Sequence, residues 1–430
     1  MSVLRKLSLV EKYLTLAHGY KQSFASQLLD KVHVIGCCGC WSQQKRTLIY
    51  QGPQATPKYK VLRETDIYLN EEIKDDDPVV QRLYKGIKKQ ERGALAEGIT
   101  LVESTHPKKK AQAQVLLSKV LLYLRERDAH SLHGSFGSSF RIGLSGPPGA
   151  GKSTFIEAMG KHLTSEGHRV AVLAVDPSSR TSGGSLLGDK TRMPLLSVDS
   201  HAYIRPSPSS GTLGGVTRNT NEAIVLCEGS GYDVILVETV GVGQSEVAVA
   251  DMVDMFCLLI PPAGGDELQG LKKGIVELAD LVVVNKSDGD LLPAARIIQS
   301  EYMSALKFIR KRSKNWNPLV LRISSKTKDG IPELWLKMCE FKQVMLAVTE
   351  FQKKREDQLK IWMWSSIKDN IMDIFTRHPS VQAQKDELEH LVTSRIMTPG
   401  FAADILLKKF MYHGEEDVKH LLETQSKHKQ

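Results

Sequence analysis

The octet Gly146-Pro-Pro-Gly-Ala-Gly-Lys152-Ser153 constrains the fold of this chain more than any other feature. It follows the short apolar run Arg141–Ser145 and precedes Thr154-Phe-Ile-Glu-Ala-Met, a stretch of helical character. A glycine-rich loop between a strand and a helix is the P-loop arrangement. Successive backbone N–H groups turn inward on phosphates, at a helix amino terminus whose dipole favours anions. Gly146, Gly149 and Gly151 permit the required torsions, and Pro147, Pro148, Ala150 and Thr154 complete the phosphate-binding segment. Lys152 would place a cation at the β- and γ-phosphates, and Ser153 would offer a hydroxyl to Mg²⁺.

Such a loop needs a parallel sheet beneath it. Strand-like runs at Arg141–Ser145, Val170–Val175, Ala202–Ile204, Val234–Val237, Met255–Ile260, Leu281–Val284 and Leu319–Ile323 alternate with helical stretches. They are apolar throughout, as strands buried on both faces are. The pattern predicts an α/β fold, a mostly parallel seven-stranded sheet sandwiched by helices, with helical extensions at both ends. The expected divisions are a basic tail at 1–65, a helical segment at 66–135, the nucleotide domain at 136–348 and a helical arm at 349–430. In the segment before the sheet, Val80, Leu83 and Ile87, then Val115, Leu116, Val120, Leu121 and Leu124, recur at helical period and predict two or three amphipathic helices. In the arm, Trp362, Trp364, Ile367 and Ile371 are expected on one face, and Pro399-Gly400 as a break between helices. Such an arm packs on its own domain or on a second copy.

The base is read by Asn285-Lys286-Ser287-Asp288, at the carboxyl end of Leu281–Val284. A carboxylate only accepts hydrogen bonds. Guanine offers it two donors, whereas adenine would leave a buried acceptor unpaired. Lys286 can lie along the base and Asn285 can tie this loop to the P-loop. Ser324-Ser325-Lys326, directly after the last strand, is either a second base loop or an ordinary strand-end turn.

Glu238 ends its strand where P-loop proteins carry an acid that orients the Mg²⁺ shell, and Gly241 and Gly243-Gln-Ser-Glu246 continue as a second switch or as a solvated turn. Asp176 opens a Gly- and Ser-rich loop that ends near Asp189-Lys190. Asp176 is a metal-side acid or a helix cap; Asp189 is a metal-side acid or half of an ion pair with Lys190. Lys152, Asp189 and Glu238 form the expected catalytic set, and Ser153, Asp176, Asp189 and Glu238 the Mg²⁺ set. Arg180 and Arg192 are candidates for a charge-stabilising arginine.

The formal charge of +9 suggests a polyanion partner until it is located. Residues 1–60 hold nine basic against two acidic residues, so most of the excess sits in this tail and no nucleic-acid partner is expected. The tail has the composition of an organellar presequence or is simply retained. No apolar run approaches the 18 residues of a membrane span. Cys227, Cys257 and Cys339, single in apolar surroundings, read as buried thiols; Cys37, Cys38 and Cys40 could hold a soft metal but lie in the tail.

Several loops together resemble one family. Asp176-Pro-Ser-Ser, Gly183-Gly-Ser-Leu-Leu-Gly-Asp189-Lys-Thr-Arg-Met193, Arg205-Pro-Ser-Pro208, Gly211-Thr-Leu-Gly-Gly215, Glu238-Thr-Val-Gly-Val-Gly-Gln-Ser-Glu246 and Pro261-Pro-Ala-Gly-Gly-Asp-Glu-Leu-Gln-Gly270 are similar to the methylmalonic aciduria type A and bacterial MeaB GTPases, from about Leu83 to near Lys409. The resemblance implies a homodimeric GTPase, binding GTP/GDP and Mg²⁺. It would dock on methylmalonyl-CoA mutase, gate adenosylcobalamin loading and limit that enzyme's inactivation. It further implies a relay loop containing Asp266 and Lys272, a dimerising arm at 349–430, and location in the mitochondrial matrix, which favours the presequence. Two rivals remain: an ATP-dependent small-molecule kinase, and a scaffold with a degenerate site.

Overall fold

Seven apolar runs form one sheet: β1 Phe140–Ser145, β2 Val170–Val175, β3 Ala202–Arg205, β4 Val234–Thr239, β5 Met255–Ile260, β6 Leu281–Val284 and β7 Leu319–Arg322. Their order is β3-β2-β4-β1-β5-β6-β7, and every neighbouring pair is parallel, so the mostly parallel sheet expected above is parallel throughout. All residues of β1, β2, β4, β5 and β6 are buried, while the edge strands β3 and β7 are partly exposed. This burial is why the inner strands carry no alternation of apolar and polar residues. The structure, a computed structural model, describes residues 76–129, 139–175, 192–205, 213–239, 245–262, 273–309 and 312–411, which all fall in one unit, Glu64–Gln430. The expected presequence and Cys37, Cys38 and Cys40 lie outside the described residues.

Among the described residues three helices precede the sheet: α1 Pro78–Lys88, α2 Arg92–Val102 and α3 Pro107–Ala129. Asp77 starts the first by accepting from the N–H groups of Val79 (3.0 Å) and Val80 (3.1 Å), with Pro78 supplying a preset φ at the first turn. Leu83, Ile87, Ile99 and Leu116 are fully buried in a cluster that also takes up Leu226, Val253 and Val282. Burial of each such side chain contributes roughly 1.5–3 kcal/mol. The helical segment therefore packs onto one face of the sheet. On that face also lie α6 Leu213–Gly229, α7 Ser245–Ala250, α8 Lys273–Leu278 and α9 Leu292–Ala305. The other face is covered by α4 Lys152–Ser165, the single turn α5 Pro194–Ser197 and α10 Ile331–Ala347, around Phe155, Met159, Leu196, Leu334 and Phe341.

The arm begins with α11 Glu350–Arg377 and continues with α12 Pro379–Thr393 and a further helix, α13, over 399–411. Its first turns are locked to the amino-terminal ends of the strands by buried charge. Arg355 grips Asp254 with two hydrogen bonds of 2.8 and 2.6 Å, and Arg141 grips Glu228 with two of 2.7 and 2.9 Å. Asp254 also accepts from the Arg141 N–H at 2.8 Å, and Ser139 donates to Glu228. Four charged residues from four parts of the chain, with Ser139 beside them, thus satisfy one another away from water, the condition under which buried charge is tolerated.

Burial would push the Glu228 carboxyl up, but the Arg141 and Arg355 charges and their hydrogen bonds outweigh it and hold the group at about 2. A carboxyl depressed in the fold stabilises it above the ordinary value of about 4.5, and that contribution is lost as pH falls toward 2. The urea midpoint of Glu228→Gln is expected to lie well below that of the parent at pH 7, with the gap narrowing between pH 4.5 and pH 3; a constant gap would remove Glu228 from this role.

Two expectations for the arm need correction. Trp362 does not share a face with Trp364, Ile367 and Ile371: it packs on the core and lies 5.7 Å from the Arg141 guanidinium, whereas Trp364 is 58% exposed. Residues two apart on a helix point about 200° apart, so Trp364, Ile367 and Ile371 form the face and Trp362 the opposite one. Pro399-Gly400 is not the break but the first turn of α13, where proline is favoured; the break lies at 394–398. Cys227 and Cys257 are buried as expected, while Cys339 is only partly so.

Candidate functional site

The order of the sheet places β1 at its centre, between β4 and β5, with the P-loop leaving its carboxyl end. Ligands of open α/β sheets bind at this crevice. Gly146 has φ +155°, and a Cβ there would stand 2.1 Å from the Leu259 carbonyl oxygen; at Gly151, φ +85°, it would stand 2.7 Å from Asn285 Nδ2. Both positions require glycine, one because β5 passes so close and the other because the base-reading loop does. Gly151 precedes α4, so Lys152, Ser153 and Thr154 form its first turn. Lys152 Nζ donates to the carbonyls of Gly146 (2.8 Å) and Pro147 (3.3 Å) within the loop.

Asn285 joins three segments. Its Nδ2 donates to Ala150 O at 2.9 Å and reaches Gly151 O at 3.4 Å, and its Oδ1 accepts from Ser325 N (3.1 Å) and Ser325 Oγ (2.8 Å). Asp288 accepts from Ser324 Oγ at 2.6 Å. Lys286 sits at φ +56° with its side chain exposed, and Lys326 is exposed as well. The structure therefore brings together the P-loop, Asn285, Asp288 and the Ser324-Ser325 pair, as an alignment of loops from β1, β6 and β7.

Glu238, one residue from the end of β4, is buried and in register with Leu144 of β1, one residue short of the loop. Next to it Thr239 donates to Ser145 Oγ at 3.1 Å, tying the two strand ends. Burial pulls the Lys152 ammonium below its usual range, the charges of Glu238 and Glu246 push it back, and Arg192 pulls it down again. Four charged groups thus share this corner. Arg192 is exposed at its edge, while Arg180 lies outside the described residues. So do Asp176, Asp189, Gly241, Gln244, Asp266 and Lys272.

Glu246 is the residue that sequence reasoning undervalued. Standing in the first turn of a helix, it reads as a solvated start, yet it is fully inaccessible and its charge reaches Lys152. The available signal was its place eight residues after Glu238, inside the segment that leaves the phosphate end of β4.

Ser153 and Glu238 are hard oxygen donors, which suits Mg²⁺. Among the described residues no cluster of three or more His, Cys, Asp or Glu could hold a metal. Mg²⁺ needs no such cage, because it keeps waters and takes phosphate oxygens beside one or two protein ligands.

A parallel sheet with a P-loop at its central strand, a buried acid on the next strand and an Asn-Lys-x-Asp loop beyond defines the class: a P-loop GTPase. A family model described as "Methylmalonyl Co-A mutase-associated GTPase MeaB" matches residues 95–380. The chain is 63% identical over 331 residues to the Mus musculus protein named methylmalonic aciduria type A homolog, mitochondrial, covering 77% of this chain and 79% of that one. It is 46% identical over 294 residues to GTPase ArgK of Escherichia coli K12, covering 68% and 84%. A solved structure titled LAO/AO transport system kinase is similar with a TM-score of 0.60 at 34% identity, covering 79% of this chain and all of that one. The chain belongs to the MeaB family of methylmalonyl-CoA mutase-associated GTPases.

Proposed function

We propose that this GTPase is Mg²⁺-dependent and acts as a homodimeric chaperone of methylmalonyl-CoA mutase in the mitochondrial matrix. It gates adenosylcobalamin loading and protects the mutase from inactivation. The observation that carries the nucleotide part is the Asn285 side chain, bonded at once to Ala150 of the P-loop and to Ser325. One residue thereby fixes the distance between the loop that holds phosphates and the loops that read the base.

In this reading the P-loop N–H groups and Lys152 hold and neutralise the phosphates, and Ser153 and Glu238 would hold Mg²⁺, which supplies further charge neutralisation when bound. Asp189 and Asp176 join the metal side. Asp288 accepts from the two guanine donors, and the Ser324 hydroxyl keeps its carboxylate aimed by occupying one lone pair at 2.6 Å. Lys286, Ser325 and Lys326 complete the base pocket.

The mutase partner is supported by the family description, and the matrix by the relatives named mitochondrial. The loop with Asp266 and Lys272 relays the nucleotide state. Trp364 and Ile371, each more than half exposed on the arm, support its use as a dimer surface. No described helix is long and apolar enough to cross a membrane.

Asp288→Asn tests the base assignment. An amide in place of the carboxylate keeps an acceptor for the guanine N1–H but sets a donor against its 2-amine, so GTP affinity is expected to fall at least tenfold while xanthosine triphosphate, which has an oxygen at the amine position, gains. The solved relative carries a kinase title, and the same variant separates that chemistry: unchanged ATP-driven phosphorylation of a metabolite would sink the guanine reading.

A further inference from the structure

Away from the nucleotide crevice, α3, α6, α7 and α11 wall an open-sided cavity of about 680 Å³. That volume is in the range of small-molecule sites, about 300–1,000 Å³, whose usual lining is apolar with a few placed polar groups. The walls fit the description. Leu117 and Val225 are buried at its base, Trp362 closes one side, and Leu121, Val247 and Leu359 stand at its lip.

One polar group in the lining has no structural use. Asn221 is 5% exposed, and its Oδ1 is shut away with no hydrogen-bond partner among the described residues. A buried amide left unpaired costs about 1–3 kcal/mol, and an apolar side chain of the same shape would avoid that cost. The charged groups nearby are different, because they already answer one another. Arg218 pairs with Glu222 at 3.2 Å, Gln114 donates to the same Glu222 oxygen at 3.0 Å, and Arg218 reaches Asn370 at 3.5 Å. Asp251 is the remaining acid, and the Arg312 and Lys354 charges act on it, so the charges around the lining are already answered and a neutral ligand fits best.

A carboxamide offers an acceptor and a donor side by side, and a half-turn of the group exchanges them. Once the side chain turns toward the cavity, the head group that satisfies both atoms at once is another primary carboxamide or a cyclic amide. We propose that this cavity is a binding site for a neutral small molecule with an apolar body and such an amide head, recognised by Asn221. The site is tied to the nucleotide through α7. Val247 and Ala248 of that helix line the cavity, while the adjacent Glu246 points inward and its charge acts on Lys152. A molecule seated on α7 binds with different strength as the nucleotide changes, and by reciprocity alters nucleotide binding. This inference uses only the GTPase assignment and stands apart from the mutase.

The test is calorimetric titration of the full chain with 4-phenylbutanamide and with its isosteric anion, 4-phenylbutanoate. The amide is expected to saturate one site per chain, the anion to bind at least tenfold more weakly, and Asn221→Leu to weaken the amide at least tenfold. The amide's affinity should differ at least about fivefold between the GDP form and the form with a non-hydrolysable GTP analogue. Asn221→Leu should be as stable as the parent or more so; should it fail to fold, Leu121→Trp at the half-exposed lip fills the cavity from outside and should abolish binding. Equal binding of amide and anion, equal binding to parent and Asn221→Leu, or no dependence on nucleotide would overturn the proposal. So would amide binding that disappears as protein concentration rises, since the cavity would then belong to a second copy.

Discussion

Replacing Lys152 by alanine is expected to lower GTP turnover by about 10²-fold or more, with the fold intact. The ammonium is half-buried at the phosphate end of β1, and burial already lowers its pKa against the opposing charges of Glu238 and Glu246. Among the described residues its hydrogen bonds run to the carbonyls of Gly146 and Pro147, both within its own loop. Removing it therefore takes away phosphate neutralisation and about 1 kcal/mol or less of structure. Single-turnover hydrolysis and a urea unfolding curve on the same preparation separate the two effects. Turnover within a few-fold of the parent would mean that Lys152 does not act on the phosphates, and that outcome is what the degenerate-scaffold reading predicts.

The largest expected loss of stability comes from the opposite end of the strands. Arg355→Met leaves Asp254, 2% exposed, without its two-point partner, and removing one member of a buried pair costs about 3–5 kcal/mol. The exposed pair Lys360 and Asp357, one turn along the same helix at 2.9 Å, provides the contrast. Lys360→Ala should leave the urea midpoint close to that of the parent, because water screens the pair and both side chains gain freedom when it breaks. Urea midpoints decide between them, and equal effects for the two variants would show that the buried network does not anchor the arm.

The parallel sheet was legible in the sequence because its inner strands are buried on both faces, which leaves unbroken runs such as Met255–Ile260 and Val170–Val175. The P-loop and Asn285 were legible for a different reason. Their chemistry is local, and only a few side chains can cradle phosphate or accept from guanine. What escaped was long-range. Arg141, Glu228, Asp254 and Arg355 are unremarkable charges until folding places them within 3 Å of one another, and Asn221 is an ordinary polar residue until α3 and α11 cover it. Trp362 faces the core and Trp364 faces outward because a helix turns residues two positions apart to opposite sides, a distinction that aromatic composition does not carry. Glu246 was hidden by position. An acid in a helix's first turn usually faces water, and here the helix lies against β1 and β4 instead.

Asp288, Asn285 and Lys152 concern what the chain binds; the proposed function concerns what it does with that binding. The most direct measurement is co-purification of the full chain with methylmalonyl-CoA mutase in GDP and in a non-hydrolysable GTP analogue, with GTP turnover followed as mutase is added. The expected result is a complex whose affinity differs between the two nucleotides and a turnover that rises with mutase. A mutase that binds in neither state, or that binds equally in both and leaves turnover unchanged, would contradict a nucleotide-controlled chaperone.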